Sequence, residues 1–403
     1  MTFPFRAYRA LEMEPEYGRL RSMPGLLRIS VPYGEDAWLA TRYEDVKTVL
    51  GDPRFSRAAA ANRDEPRLTP FPIRTSILGV DPPEQARLRQ LIARTFTMRN
   101  AERMRSYARE TAHRLIDDMS YRGAPTDLLK DYAVPFAASV VSKLLGVPAG
   151  DHERFMQWVD AFSSMTAMTP DAVLSQMESM YDYVTGLVSG GDQLGEGALI
   201  AHLIQAQDAG RLTKKELVEL VAVLIIAGSD SVSAELSNAC YLLLTEPDRA
   251  NQLRSRPELI GSAVEELLRY IPLDAHVTFA RYAVEDLILG GTLIRAGEAV
   301  LASIPSANRD PGVFSDPDEL EFTRAHNPHL GLGHGLHRCV GSAMASMALQ
   351  EGILALLQRL PDLTTAVPEH ELQWKREMQV RNLASFPVTW SVRAGTEPAV
   401  APQ

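Results

Sequence analysis

Residues 331–341 read Gly331-Leu332-Gly333-His334-Gly335-Leu336-His337-Arg338-Cys339-Val340-Gly341. Gly333, Gly335 and Gly341 let the backbone turn tightly and approach a flat ligand closely, which a Cβ would prevent. The apolar stretch from Ala343 to Leu360 reads as a helix, so Cys339 falls just before a helix N-terminus. Free N–H groups and the positive end of a helix dipole favour a thiolate there. A free cysteine is more often a small buried hydrophobe. Three glycines, a histidine and the cysteine in one register favour a ligand instead.

The surrounding chain has 403 residues, 45% hydrophobic and 23% charged, an ordinary globular composition. No low-complexity linker, charge block or fixed-period repeat divides it. Residues 1–393 are therefore expected to form one domain, and 394–403 a flexible tail. The first ten residues contain no long apolar run, so neither a signal peptide nor a membrane anchor is expected. Two cysteines, Cys240 and Cys339, exclude a disulfide framework and suit a reducing cytoplasm. The net charge of −10 argues against nucleic acid as the main partner.

Helices should dominate. Two short strands, Leu27 to Val31 and Ala37 to Thr41, flank a turn, and Tyr43, Val46, Val49 and Leu50 keep helical spacing with Gly51 at C′. From Ala93 to about Leu268 the pattern is helical, with breaks at Pro148, Pro170 and Gly190-Gly191. A second strand region spans Leu287 to Ala302, with Gly290-Gly291 turning a hairpin. Strands and helices do not alternate, which excludes a doubly wound sheet. The expected class is mainly α with a small β region.

Thr213-Lys214-Lys215-Glu216 is a capping box opening a helix that runs to about Leu244. Leu220 to Ala227 is apolar on every side and should be buried all round. Gly228, Ser229, Asp230, Ser231 and Ser233 follow. A buried acid among hydroxyls is costly unless bonded or used, and Gly beside Ser is where helices bend. Asp230 could sit in a buried ion pair. Further on, Glu266 and Arg269 lie one helical turn apart and can pair.

The loop at 331–341 resembles the haem-ligand signature of the cytochrome P-450 family, Phe-Gly-x-Gly-x-His-x-Cys-x-Gly, with Leu332 in place of Phe. Ala227-Gly228-Ser229-Asp230-Ser231 resembles that family's oxygen-binding motif, with Ser for the usual Thr. Glu266-x-x-Arg269 stands about seventy residues ahead of the cysteine, as the family shows. The resemblance spans Ala37-Trp38-Leu39-Ala40 to Phe386-Pro387-Val388-Thr389-Trp390. It implies a helical triangular prism, with haem b between the long central helix and the cysteine loop. Cys339 would be the axial iron ligand, with Gly333, Gly341 and Ala227 against the haem. Asp230 and Ser231 would relay protons, and Glu266 and Arg269 would be structural. Arg89, Arg281 and His337 would pair with the propionates, although each arginine taken singly is a surface charge.

Besides Ser231, four departures accompany the likeness. Leu332 should change the shielding of the sulfur and its redox potential. Gln85 occupies a position often held by a propionate-binding His. Glu319 stands where the third partner of the Glu266–Arg269 pair, an Arg, is usual. Ser346 stands where relatives carry an Arg after the cysteine loop.

The resemblance implies a monooxygenase using O2 and two electrons from NAD(P)H through a ferredoxin and its reductase. The lineage looks like actinomycete enzymes of antibiotic and other secondary metabolism, with a hydrophobic macrolide or polyketide as substrate. A monomer free of membrane and nucleic acid is expected. Arg87, Arg89, Arg94, Arg99, Arg103, Arg105, Arg109 and Arg338 could form a docking face for an acidic ferredoxin; local pairs to Glu102 and Glu110 would account for half of them. Cavity candidates are Thr69–Ile77, Met156–Met180, Ala227, Asp274–Thr278 and Asn382–Ser385, although methionines at helical spacing equally fill a core. A peroxide-driven peroxygenase is disfavoured by Asp230 and Ser231. A haem-free helper of a biosynthetic glycosyltransferase is disfavoured by Cys339.

Overall fold

The computed structural model describes residues 1–5, 9–72, 77–147, 150–190, 194, 198–273 and 279–391. The first part of the chain forms α1 (Pro15–Ser22), β1 (Leu27–Ile29), β2 (Ala37–Ala40), α2 (Tyr43–Gly51) and β3 (Phe55–Ser56). Then come α3 (Glu84–Ala93), α4 (Met98–Arg122), β4 (Thr126–Asp127), α5 (Val134–Leu145), α6 (His152–Ser163), α7 (Pro170–Ser189) and α8 (Leu199–Asp208). The long α9 (Lys214–Thr245) leads to α10 (Pro247–Ser255) and α11 (Ile260–Tyr270). The last part holds β5 (Arg281–Ala283), β6 (Leu287–Leu289), β7 (Thr292–Ile294), β8 (Ala299–Ala302), α12 (Ile304–Ala307), α13 (Ser342–Arg359), β9 (Thr364–Thr365) and β10 (Pro387–Thr389). The class is mainly α with small sheets, as the sequence indicates.

Local rules account for several boundaries. The capping box is formed: Glu216 N donates to Thr213 Oγ1 at 3.1 Å, and Thr213 N to Glu216 Oε2 at 2.8 Å. Pro170 begins α7 behind the Thr169 cap, and Gly190 follows its end. Gly290 and Gly291, at φ +55° and +86°, turn the β6–β7 hairpin. The five-stranded sheet, ordered β1-β2-β8-β5-β3, is not legible locally, because β2 pairs in parallel with β8, Leu39 opposite Leu301.

The largest core cluster joins α4, α5, α11, α13 and the C-terminal half of α9. A second gathers α6, α7, α8 and the N-terminal half of α9. Helix α9 thus serves both, which explains its composition. It is long and apolar enough to cross a bilayer, but 67% of that stretch is buried. Gly228 is required for packing: a Cβ there would stand 2.7 Å from Val141 Cγ2 of α5.

Helix α9 runs without interruption through Gly228, and Ser231 Oγ shares the carbonyl of Ala227 one turn back at 2.9 Å. One expectation changes: Leu220–Ala227 is not buried all round. Leu224 and Gly228 are half-buried and Ala227 is exposed, followed by half-buried Ser231 and Val232. These positions recur every three or four residues, so α9 opens along one stripe.

Candidate functional site

The cysteine loop is built on close backbone contact. Gly331 packs so that a Cβ would stand 2.2 Å from the Leu268 carbonyl of α11, and Gly335 so that one would stand 2.5 Å from Leu50 O of α2. Gly333 and Gly335 have φ of +74° and +68°. Gly51 is not a C′ cap but the last residue of α2, and its bare Cα admits the His334 ring. Cys339 N donates to Leu332 O at 2.8 Å, closing the turn. Gly341 is the N-cap residue of α13.

The Cys339 sulfur is reachable from outside the protein, although atoms crowd it on its other sides. That crowding raises the thiol pKa, against the backbone N–H of Gly341 and the charges of Arg89 and Arg338. The expected depression of the protein-only thiol is therefore corrected: desolvation outweighs the helix end. Val340 packs on the cluster that Leu217 to Ile226 of α9 build, and Phe96 approaches both Val340's neighbour Gly341 and that cluster. Cysteine loop and open α9 stripe therefore border one apolar region.

Beside the loop lies uncompensated positive charge. Arg281, on β5, is 6% exposed, and among the described residues its guanidinium makes no hydrogen bond or ion pair. Burial pushes its guanidinium down to about 10, with Arg57 adding to the effect and Asp81 opposing it. Asp81 is already committed to Ser56 Oγ at 2.5 Å and to the N–H groups of Arg57 and Ala58. Arg57 is held by Glu65. The Nε2 of His337 is buried without a partner, and burial, then Arg281, pushes its pKa down to about 4. A buried cation without a carboxylate is costly. An incoming carboxylate would neutralise Arg281 and satisfy Nε2, so these residues fit a macrocycle bearing carboxylates.

Arg89 does something else. Its Nη2 donates to Arg338 O at 2.8 Å and its Nη1 to Leu336 O at 3.4 Å. Buried Gln85 donates to the same Leu336 carbonyl at 2.7 Å. Helix α3 thus holds the cysteine loop by its backbone, and Gln85 is a brace. Ser346 also has a partner, donating to Glu265 Oε1 at 2.8 Å, while Glu265 Oε2 meets His329 Nε2 at 3.0 Å.

Asp230 and Ser231 lie on different sides of α9. Asp230 is 9% exposed and accepts from Ser163 Oγ of α6 at 2.8 Å. Burial raises its pKa to about 6, against the Ser163 hydrogen bond and the charge of Lys375. Lys375 itself pairs with Asp160 at 2.5 Å, so Asp230 has a cation near but not in contact. Ser231 faces the open stripe.

Glu266 and Arg269 pair at 2.7 Å, both fully buried. The third member, missing from the expected position, is Arg324, whose Nε lies 3.1 Å from Glu266. Glu319 contributes only its carbonyl, to Arg269 and Arg324. The arginine patch is thinner than its sequence. Arg105 and Arg109 pair with Glu351 of α13, Arg105 also with Glu102, and Arg87 with Glu216. Glu110 is not among these partners. Arg94, Arg99 and Arg338 remain exposed without ion pairs among the described residues.

A cavity of about 210 Å³ lies between residues 69–72, α6, α7 and α9, lined by Phe71, Phe162, Met177, Met180, Val223 and Ile226 among others. Trp158 instead belongs to the core, and Met156 packs against it. Thr69–Pro72 line this cavity, Ile77 is in the core, and Asn382 and Leu383 are buried away from it. Residues 73–76, 274–278 and 392–403 lie outside the described residues.

Comparisons with known proteins bear on this geometry. The family profile described as cytochrome P450 matches residues 192–361. The mycinamicin IV hydroxylase/epoxidase of Micromonospora griseorubida is 43% identical over 389 residues, covering 96% of this chain and 98% of that one. The nocardicin C N-oxygenase of Nocardia uniformis subsp. tsuyamanensis is 44% identical, with 96% and 98% covered. Among solved structures, HinD with NMFT and NO shares 50% identity at a TM-score of 0.94, over 96% of this chain and 99% of that one. The LnmA hydroxylase of the leinamycin pathway from Streptomyces atroolivaceus shares 41% at 0.89, over 96% and 100%. Likeness of this degree along nearly the whole length settles the family to which the cysteine loop pointed: the chain belongs to the cytochrome P450 family of haem-binding monooxygenases.

Proposed function

We propose that this P450 hydroxylates or epoxidises an apolar secondary metabolite of macrolide or polyketide type, with electrons from NAD(P)H through a ferredoxin and its reductase. The observation that carries the site assignment is a reachable Cys339 thiol backed by buried, unpartnered Arg281 and His337. Haem b, when bound, supplies the reductive activation of dioxygen.

The remaining work falls to the chain. Cys339, as thiolate, would hold the haem iron. Arg281 and His337 would hold the propionates, and Arg89 acts chiefly through the loop backbone that it braces. Ala227, Gly333 and Gly341 present little side-chain bulk to the macrocycle. Asp230, its pKa raised to about 6, can take up and release a proton close to neutral pH, and Ser231 hands one into the cleft. Glu266 and Arg269 anchor the loop from beneath. The cavity at Phe71, Phe162, Met177 and Met180 receives apolar parts of the substrate, its methionines re-packing around an irregular shape. Arg94, Arg99 and Arg338 steer the acidic ferredoxin. Relatives of the same degree include enzymes named for mycinamicin IV and for nocardicin C, which supports a natural-product substrate. A single domain over residues 1–393, a monomer and a cytoplasmic location complete the reading.

The ferrous–CO difference spectrum of the purified protein tests it. The red-shifted Soret band of a thiolate-ligated haem is expected, and lost in Cys339→Ala. A haem-free protein, or an unchanged band in the variant, would overturn the ligand assignment.

A further inference from the structure

Helix α9 buries a second acid. Glu235 is 5% exposed, and among the described residues its carboxyl makes no hydrogen bond and no ion pair. Burial raises its pKa well above the ordinary carboxylate value, because an unpaired buried carboxylate is poorly solvated, and this favours the protonated acid.

Its place on the helix gives that proton a destination. The reachable positions Leu224, Ala227, Gly228 and Ser231 form a stripe, and Glu235, four residues past Ser231, continues it into the core. Residues four apart on a helix are neighbours, with Cβ atoms about 5–6 Å apart, whereas successive residues do not face each other. Asp230, next to Ser231 in sequence, accordingly turns away to Ser163. The Ser231 hydroxyl spends its one proton on Ala227 O at 2.9 Å, which leaves its oxygen free to accept. The acid that shares its face is Glu235.

We propose that Glu235 delivers its proton to Ser231 Oγ from the core side of the cleft, as a second acid beside Asp230. This rests on the relay role proposed for Ser231. The Glu235 O–H bond breaks and a new Oγ–H bond forms. The original Ser231 proton swings off the Ala227 carbonyl and is one of the two protons that leave with an oxygen atom as water, the other coming from Asp230. The two electrons come from NAD(P)H through the reductase chain, and Glu235, left as a carboxylate without a cation, is reprotonated from bulk solvent before the next turnover.

Glu235→Gln keeps the shape of the side chain but has no acidic proton. Its ferrous–CO spectrum, melting temperature and substrate-binding shift should match those of the parent protein. The fraction of NAD(P)H recovered as product should fall roughly tenfold, the remainder appearing as hydrogen peroxide, and Ser231→Ala with Glu235→Gln should be no worse than Ser231→Ala alone. Infrared spectroscopy gives a reading independent of turnover. The resting protein should show the C=O stretch of a protonated acid that disappears in Glu235→Gln and shifts in Ser231→Ala. Coupling within about twofold of the parent, or an acid band indifferent to Ser231→Ala, would overturn the proposal. Should Glu235→Gln not fold, the Ser231→Ala band shift decides alone. Loss of the thiolate CO band in the parent protein would instead mark failure of the haem-thiolate reading.

Discussion

Arg324 Nε stands 3.1 Å from each carboxylate oxygen of Glu266, closing a buried clamp that Arg269 begins on the other side. Glu266 also accepts from Glu321 N at 2.9 Å and Asn327 Nδ2 at 3.2 Å. Arg269 spends its remaining donors on the carbonyls of Asn308, Pro317 and Glu319. Helix α11 is thereby tied to residues 308–327, the segment leading into the cysteine loop.

Removing the carboxylate should leave this clamp with uncompensated charge. Glu266→Gln leaves two buried guanidinium groups facing a neutral amide, and a cost of about 3–5 kcal/mol is expected. Arg324→Ala should cost less, because Arg269 still pairs with Glu266. Urea unfolding of both variants checks the order, and equal losses would contradict it.

Close packing between α5 and α9 predicts a compensating pair. Gly228→Ala drives a methyl into Val141 and should cost about 1–3 kcal/mol. Adding Val141→Ala should return part of that loss, since the added methyl then fills the space vacated. A double-mutant cycle with no coupling would show that the helices simply move apart.

Asp230 should leave a mark on the pH dependence of stability. Its pKa rises from 3.8 to about 6 on folding, so the folded state holds the proton more tightly. Stability should therefore fall as pH rises from 3.8 to about 6 and level off above, by up to about 3 kcal/mol. Asp230→Asn should flatten that window and gain stability at neutral pH, while slowing turnover and leaving substrate binding intact. Thermal unfolding at several pH values tests the first part, and an unaltered rate of product formation would remove the relay role.

Ferredoxin docking at Arg94, Arg99 and Arg338 predicts salt-sensitive turnover. These exposed cations lack internal partners among the described residues, so their field is available to an incoming acidic surface. Raising ionic strength should lower ferredoxin-supported rates, and Arg99→Glu should lower them further at low salt. Salt-independent rates would move the docking face elsewhere.

The motifs were legible because the chemistry demands particular residue types at fixed spacing. Tight glycines, a histidine and a cysteine within eleven residues, a capping box, and an acid among hydroxyls in an apolar helix are all local signals. What escaped was every partnership formed across the fold. Arg324 looks like any other surface arginine in sequence, and Gln85 looks like a weakened ligand rather than a brace on Leu336. Glu235 sits four residues beyond Ser231 in plain view, but only its burial without a partner sets it apart.

The sequence by itself determined the helical class, the two ends of α9, the β6–β7 turn and the identity of the cysteine loop, since propensity, capping and motif spacing act within a few residues. Tertiary structure alone decided which face of α9 opens, which cations stay unpaired, and which arginine completes the Glu266 clamp. Those outcomes depend on what packs against each side chain, and burial changes the energy of a charge far more than its neighbours in sequence can.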